Sequence, residues 1–173
     1  MEFWTEGQLR SIDKMLNPRS IAVVGASPKG GGYGNRLVNA VLKAKDRVNI
    51  YPVNPNYEEI GGVRCYPSVS ALPEAPDLVG VVVPFGKVLD VLEESHAKGA
   101  GAAVVISAGF AERGVEARFD LQRRVGQFAR TSGLRMAGPN CLGLANVKRD
   151  ICPTASSRTL GGLTGPIGLI CQS

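Results

Sequence analysis

Short apolar runs alternate with longer stretches of helical period along this chain, and that alternation predicts its architecture. Leu9, Ile12, Met15 and Leu16 recur at helical spacing, so an amphipathic helix is expected over residues 5–16. Asn17-Pro18 ends it, because the residue before a proline is driven away from helical torsions. Residues 20–24 read Ser-Ile-Ala-Val-Val, the pattern of a strand buried on both faces. A small-residue loop over 25–32 leads to a helix over 33–44, with Leu37, Val38, Val41 and Leu42 on its apolar side. A second strand is expected at 48–51, stopped by Pro52 and Pro55. Residues 57–69 read as an irregular connection with a turn at Gly61-Gly62. Further strands are expected at 78–83, 102–106 and 134–137, and further helices at 85–97 and 115–131.

Strands separated by helices of this length are βαβ units, which pair in parallel through right-handed crossovers. The expected fold is therefore α/β, a Rossmann-like doubly wound and mainly parallel sheet. Residues 1–145 are assigned to this domain, the N-terminal helix included. After Gly138 the regular period is lost to Gly, Pro, Ser and Thr, and 146–164 reads as a linker. Residues 165–173 read as the first strand of a second domain, so the chain is expected to be a piece of a longer protein.

Composition narrows the function classes. No apolar run approaches the roughly 18 residues that cross a bilayer. Residues 1–16 carry charges throughout and lack a signal peptide's apolar core, so a cytoplasmic location without a membrane partner is expected. The net charge of +5 is dispersed and only 6% of residues are aromatic, which argues against a nucleic-acid platform. One histidine and four cysteines without a CxxC pair leave no metal-ligand spacing, so no metal is expected.

In open parallel sheets, ligands bind beyond the carboxyl ends of the strands. Those ends carry Gly25, Ala26 and Ser27; Asn54 and Pro55; Val83, Pro84 and Phe85; Ser107, Ala108, Gly109 and Phe110; and Asn140 with Cys141. The first loop, continuing through Gly32, Tyr33 and Gly34 into a helix, has the chemistry of a phosphate cradle. Glycines let backbone approach an anion, and a helix start offers unpaired N–H groups. Neither GxGxxG nor the Walker pattern occurs in the chain. An NAD site also wants an acid at the end of the second strand, where this chain has Asn54. Both facts count against an NAD(P)-binding module. His96, in the last turn of its helix, reads as a residue favoured by the helix dipole. Cys141 reads as structural or pocket-lining, and Glu112 equally as a pocket carboxylate or a solvated residue opening a helix. No catalytic residue is assigned.

Four segments, Asn17–Ser27, Tyr51-Pro-Val-Asn-Pro55, Ser107-Ala-Gly-Phe110 and Gly138-Pro-Asn-Cys-Leu-Gly143, occur together and in this order. With them the chain resembles the N-terminal CoA-binding domain of ADP-forming acyl-CoA synthetases, related to the succinyl-CoA synthetase alpha subunit. The resemblance implies coenzyme A as ligand, with Ser27 and the loop at Gly32, Tyr33 and Gly34 holding phosphate. It implies Asn54, Pro55 and Tyr57 at the nucleotide end, and Val83 to Phe85 with Ser107 to Phe110 along pantetheine and adenine. Asn140 and Cys141 would then lie towards the thiol. The family's basic residue after the second strand is replaced by Asn56 and Tyr57, leaving Lys29 and Arg36 as candidates for that phosphate. In the family, phosphohistidine and ATP-grasp domains complete the reaction, so partners of those kinds are implied. His96 does not match the phosphohistidine motif. A stand-alone or acetyltransferase-fused CoA-binding regulatory module is the alternative.

Overall fold

The computed structural model of this chain describes residues 4–156, 164, 165, 168 and 169. Helix α1 (Glu6–Leu16) starts at Thr5, whose hydroxyl accepts from the Gln8 N–H while the Gln8 side chain accepts from the Thr5 N–H. This reciprocal pair satisfies two donors that a helix start otherwise leaves open. There follow β1 (Ser20–Val24), α2 (Tyr33–Leu42), β2 (Asn49–Val53), β3 (Glu59–Ile60) and β4 (Val63–Arg64). Then come β5 (Leu78–Val81), α3 (Val88–Lys98), β6 (Ala102–Val105), α4 (Glu116–Ser132) and β7 (Arg135–Ala137).

Among the described residues, five strands form one parallel sheet in the order β2-β1-β5-β6-β7, and parallel pairing is what the βαβ pattern predicts. From β1 the chain steps one way to β2, and from β5 it steps the other way to β6 and β7. With right-handed crossovers, that reversal puts the connecting helices on opposite faces. The alternation along β1 shows both faces buried. Ile21 and Val23 pack in one core with Met15 of α1 and Leu37, Val38 and Val41 of α2. Ala22 and Val24 pack in the other with Val88 and Leu92 of α3 and Val125 of α4. At Gly80 of β5 the side chain of Leu37 on α2 lies close over the sheet: a Cβ there would lie 2.7 Å from Leu37 Cδ2.

Several boundaries differ from expectation, each for a visible reason. Strand β2 runs through Pro52 to Val53 instead of stopping at residue 51. It is the sheet edge, where a missing N–H breaks no ladder, and the Pro52 carbonyl accepts from the Tyr66 N–H at 2.9 Å. Strand β5 ends at Val81, whose carbonyl takes the N–H groups of both Ile106 and Ser107, where the regular one-to-one ladder with β6 stops. The helix expected from residue 85 begins as a single 3-10 turn, Phe85–Lys87, before α3. The connection read as irregular contains the antiparallel pair β3–β4. Its turn residues Gly61 and Gly62 both have positive φ, 62° and 78°, as a two-residue hairpin turn requires.

The linker reading does not hold for residues 146–155. Asn146 pairs with Ile151 and Gly143 with Thr154 in a small hairpin. Ile151 and Ala155 are buried in the α1–α2 core. Asn146 Nδ2 donates to the Leu16 carbonyl at 3.0 Å, and Arg47 meets Asp150 at 2.8 Å. The rest of the expected linker, 157–163, lies outside the described residues, as does most of the strand expected at 165–173.

On β2, the Tyr51 hydroxyl donates to Glu74 at 2.6 Å. Burial, reinforced by this carboxylate, pushes the Tyr51 phenol from 10.0 up to about 12. A raised folded value means stability that is complete below the unfolded pKa and lost as pH rises through the folded one. A tyrosinate absorbance step near pH 12 is expected in the wild type and should vanish in Tyr51→Phe. A titration unchanged by that substitution would refute the assignment.

Candidate functional site

Strand order reverses between β1 and β5, and their carboxyl ends frame a crevice. Gly25 follows β1 with φ 87°, and a Cβ there would lie 1.8 Å from the Val82 carbonyl oxygen. Only glycine lets the loop press this closely on the end of β5. Two amides then fix the loop from either side. Asn54 Nδ2 donates to the Ala26 carbonyl at 2.8 Å, and Asn35 Nδ2 donates to the Ser27 carbonyl at 3.0 Å. The Ser27 hydroxyl donates to the Lys29 carbonyl at 2.9 Å.

Gly32 stands at the N-cap of α2 without a side chain to cap it, and the first turn carries no acid. The helix start therefore presents open N–H groups and positive potential to the crevice. Gly34 permits that approach, since a Cβ would sit 2.2 Å from the Gly25 carbonyl oxygen. Gly30 and Gly31 are exposed and have nothing within 4 Å of an added Cβ, so there is room above the loop. At the mouth, Arg36 lies 5.7 Å from the centre of the half-exposed Tyr33 ring, and Lys29 is exposed.

The other strand ends are tied to this loop and to each other. The Asn54 side chain bonds at both ends, since its Oδ1 also accepts from the Asn56 N–H at 3.0 Å. Asn54 is thus a fastener of the first loop, with Pro55 and Tyr57 exposed beside it. The Ser107 hydroxyl accepts from the Val83 N–H at 3.0 Å and donates to the Val83 carbonyl at 2.7 Å, joining the ends of β5 and β6. The Asn140 N–H donates to the Ser107 carbonyl at 3.0 Å, joining β6 to β7. Pro84 and Ala108 face solvent between these ties, and Gly109 is half-buried. Ala26, Ser107 and Phe110 are buried, so they support the rim from behind. The Cys141 thiol donates to the Val105 carbonyl at 3.5 Å, and burial pushes its pKa up. A thiol so held stays protonated at neutral pH and is a poor nucleophile.

The expected ligand-site residues thus fall on the loops that follow the parallel strands and on the start of α2. His96 does not: its ring meets Phe128 edge-on at 5.9 Å and packs α3 against α4. Glu112 is the solvated residue of a short 3-10 turn, Ala111–Arg113, and has a further part. It is exposed, but its carboxylate accepts the N–H groups of Gly109 and Phe110. Those bonds, Gly109 foremost, hold the Glu112 carboxyl below the usual range. Sequence reasoning missed Asn35 and Arg118. Arg118 Nη1 donates to the Gly109 carbonyl at 2.8 Å, and no local pattern marks that pairing. Beyond Gly138 and Pro139 the rim opens into a groove of about 460 Å³ along α4, flanked by Phe119, Arg123, Arg130 and Met136. Among the described residues no helix is long and apolar enough to cross a membrane.

A glycine loop over an uncapped helix start, at the reversal of a parallel sheet, defines a domain that binds a phosphate-bearing ligand. The chain belongs to the CoA-binding domain family, whose model matches residues 19–147. It is 39% identical over 94% of its length to an ADP-forming acetate–CoA ligase I of Archaeoglobus fulgidus, of which it covers 23%. It is likewise 39% identical over 79% of its length to the trans-feruloyl-CoA synthase FCS1 of an unknown prokaryotic organism, covering 19% of that protein. Among solved structures it is similar to a dinucleotide-forming acetyl-coenzyme A synthetase 1 of Candidatus Korarchaeum cryptofilum, solved with phosphate and ADP. The TM-score is 0.79 and the identity 32%, over 87% of this chain and 32% of that one. The chain thus spans less than a quarter of the two curated relatives.

Proposed function

We propose that this chain is the CoA-binding module of an NDP-forming acyl-CoA synthetase, a cytoplasmic ligase that joins a carboxylic acid to CoA. The whole protein would convert acid, CoA and nucleoside triphosphate to acyl-CoA, nucleoside diphosphate and phosphate. The observation that carries the reading is the open N-terminus of α2 behind the Gly25–Gly34 turn, within a family that binds CoA. The ligand's phosphates would lie over Ser27 and Gly32 to Gly34, with the exposed Lys29 and Arg36 as candidate cations beside them. The nucleotide would extend past Asn54, Pro55 and Tyr57, and the pantetheine arm past Val83 to Phe85 and Ala108 to Gly109, towards Asn140 and Cys141. The acid is selected elsewhere in the protein: an acetate ligase and a feruloyl synthase are equally similar to this chain, at 39% identity.

Calorimetric titration with CoA, run beside NAD, NADP and ATP, tests the reading. CoA should bind selectively, and Ser27→Glu should weaken it about tenfold by setting a carboxylate against phosphate. Preference for NAD or NADP, or no heat with CoA, would refute it.

A further inference from the structure

The loop after β6 is gripped from both sides by side chains of opposite charge. The Glu112 carboxylate accepts from the Gly109 N–H, and from the Phe110 N–H at 3.0 and 3.1 Å. Arg118, on α4, donates to the carbonyl of the same Gly109 at 2.8 Å. Its guanidinium also lies 4.4 Å from the centre of the Phe85 ring. Phe85 in turn meets Phe110 edge-on at 6.3 Å. One pair of charged residues therefore sets both the Gly109 peptide and the Phe85 ring, which belong to the loops after β6 and β5.

Global stability is a poor explanation for this arrangement. Glu112 is exposed, Arg118 is half-exposed, and surface charges contribute little to the fold. The local effect is larger. Gly109 has φ 106°, a conformation that only glycine holds easily and that a free loop would leave. Charge-assisted bonds at both its N–H and its carbonyl remove that freedom. The wall they fix, Phe85 with Ala108 and Gly109, carries no side-chain charge. It suits the uncharged stretch of a ligand whose phosphates sit at α2.

We propose that Glu112 and Arg118 are positioning residues for the pantetheine arm of CoA. They touch the ligand only through the Gly109 peptide and the Phe85 ring. The proposal rests on the CoA reading above.

The test compares CoA with adenosine 3′,5′-bisphosphate, which keeps the nucleotide end and lacks the arm. Glu112→Ala and Arg118→Ala should each weaken CoA about tenfold through lost preorganisation, and change the bisphosphate by less than about twofold. Thermal melting, run on each variant, should shift little. Glu112→Gln should recover part of the loss, because its amide oxygen still accepts from these N–H groups but without the charge. Unchanged CoA affinity, or an equal loss for both ligands, would overturn the proposal. A wild-type chain that binds neither ligand overturns the CoA reading itself, and is seen before any variant is compared.

Discussion

Alanine at position 25 is expected to cost about 3 kcal/mol of stability, combining left-handed strain with overpacking. For a domain of this size that is a fall of roughly 6–12 °C in melting temperature. The added Cβ would stand 1.8 Å from the Val82 oxygen and 2.7 Å from the Val82 carbon. Both are backbone atoms, so no side chain can swing aside. Relief requires the loop to lift from the end of β5, which would also stretch the Gly25 N–H from its acceptor, the Val53 carbonyl. Gly30→Ala provides the control. Gly30 also has positive φ, 94°, but nothing lies within 4 Å of its added Cβ. Only the torsional cost of about 1 kcal/mol should remain there. Melting followed by circular dichroism should separate the two variants clearly. If they melt together, the close approach of the first loop to β5 is wrong.

Truncating Phe110 to alanine should cost about 3–5 kcal/mol, the range for a buried aromatic ring. Phe110 is fully buried and packs in the α3–α4 core with Val105 and Val125. Its loss would open a cavity directly behind the Phe85 ring, and CoA affinity should fall with it. Phe119 on α4 is the comparison, being 52% exposed. Its truncation should cost less than about 1 kcal/mol, as for surface positions generally. Urea denaturation measures both. A cost below about 1 kcal/mol at Phe110 would show that its ring is not packed as described.

The sheet was legible because its strands are buried on both faces. Residues 20–24 could hardly be read otherwise, and the helices between strands announce parallel pairing. What local pattern could not supply was position within the sheet. Pro52 looked like a stop, but at an edge a proline is harmless. Strands of two residues, such as β3 and β4, are too short to show a period. At the site, the glycine loop and the five strand ends were readable from composition and fold logic. The roles of particular polar groups were not. Asn54 and Ser107 appear in sequence as ligand candidates, and in space each also ties down nearby backbone: Asn54 the Ala26 carbonyl and the Asn56 N–H, Ser107 both polar groups of Val83. Arg118 shows no sign of its role until α4 is laid beside the loop it holds. The resemblance read from four ordered segments agrees with the family match.

The hairpin that closes over the α1–α2 core bears on where this domain can be cut. The family match stops at residue 147, between the two sides of that hairpin. A protein trimmed there would keep Asn146 and lose Ile151 and Ala155, unroofing the apolar surface they cover. A piece of this chain that keeps that core covered therefore reaches at least Ala155. Shorter versions would present greasy surface to solvent and invite clumping, whatever their ligand site retained.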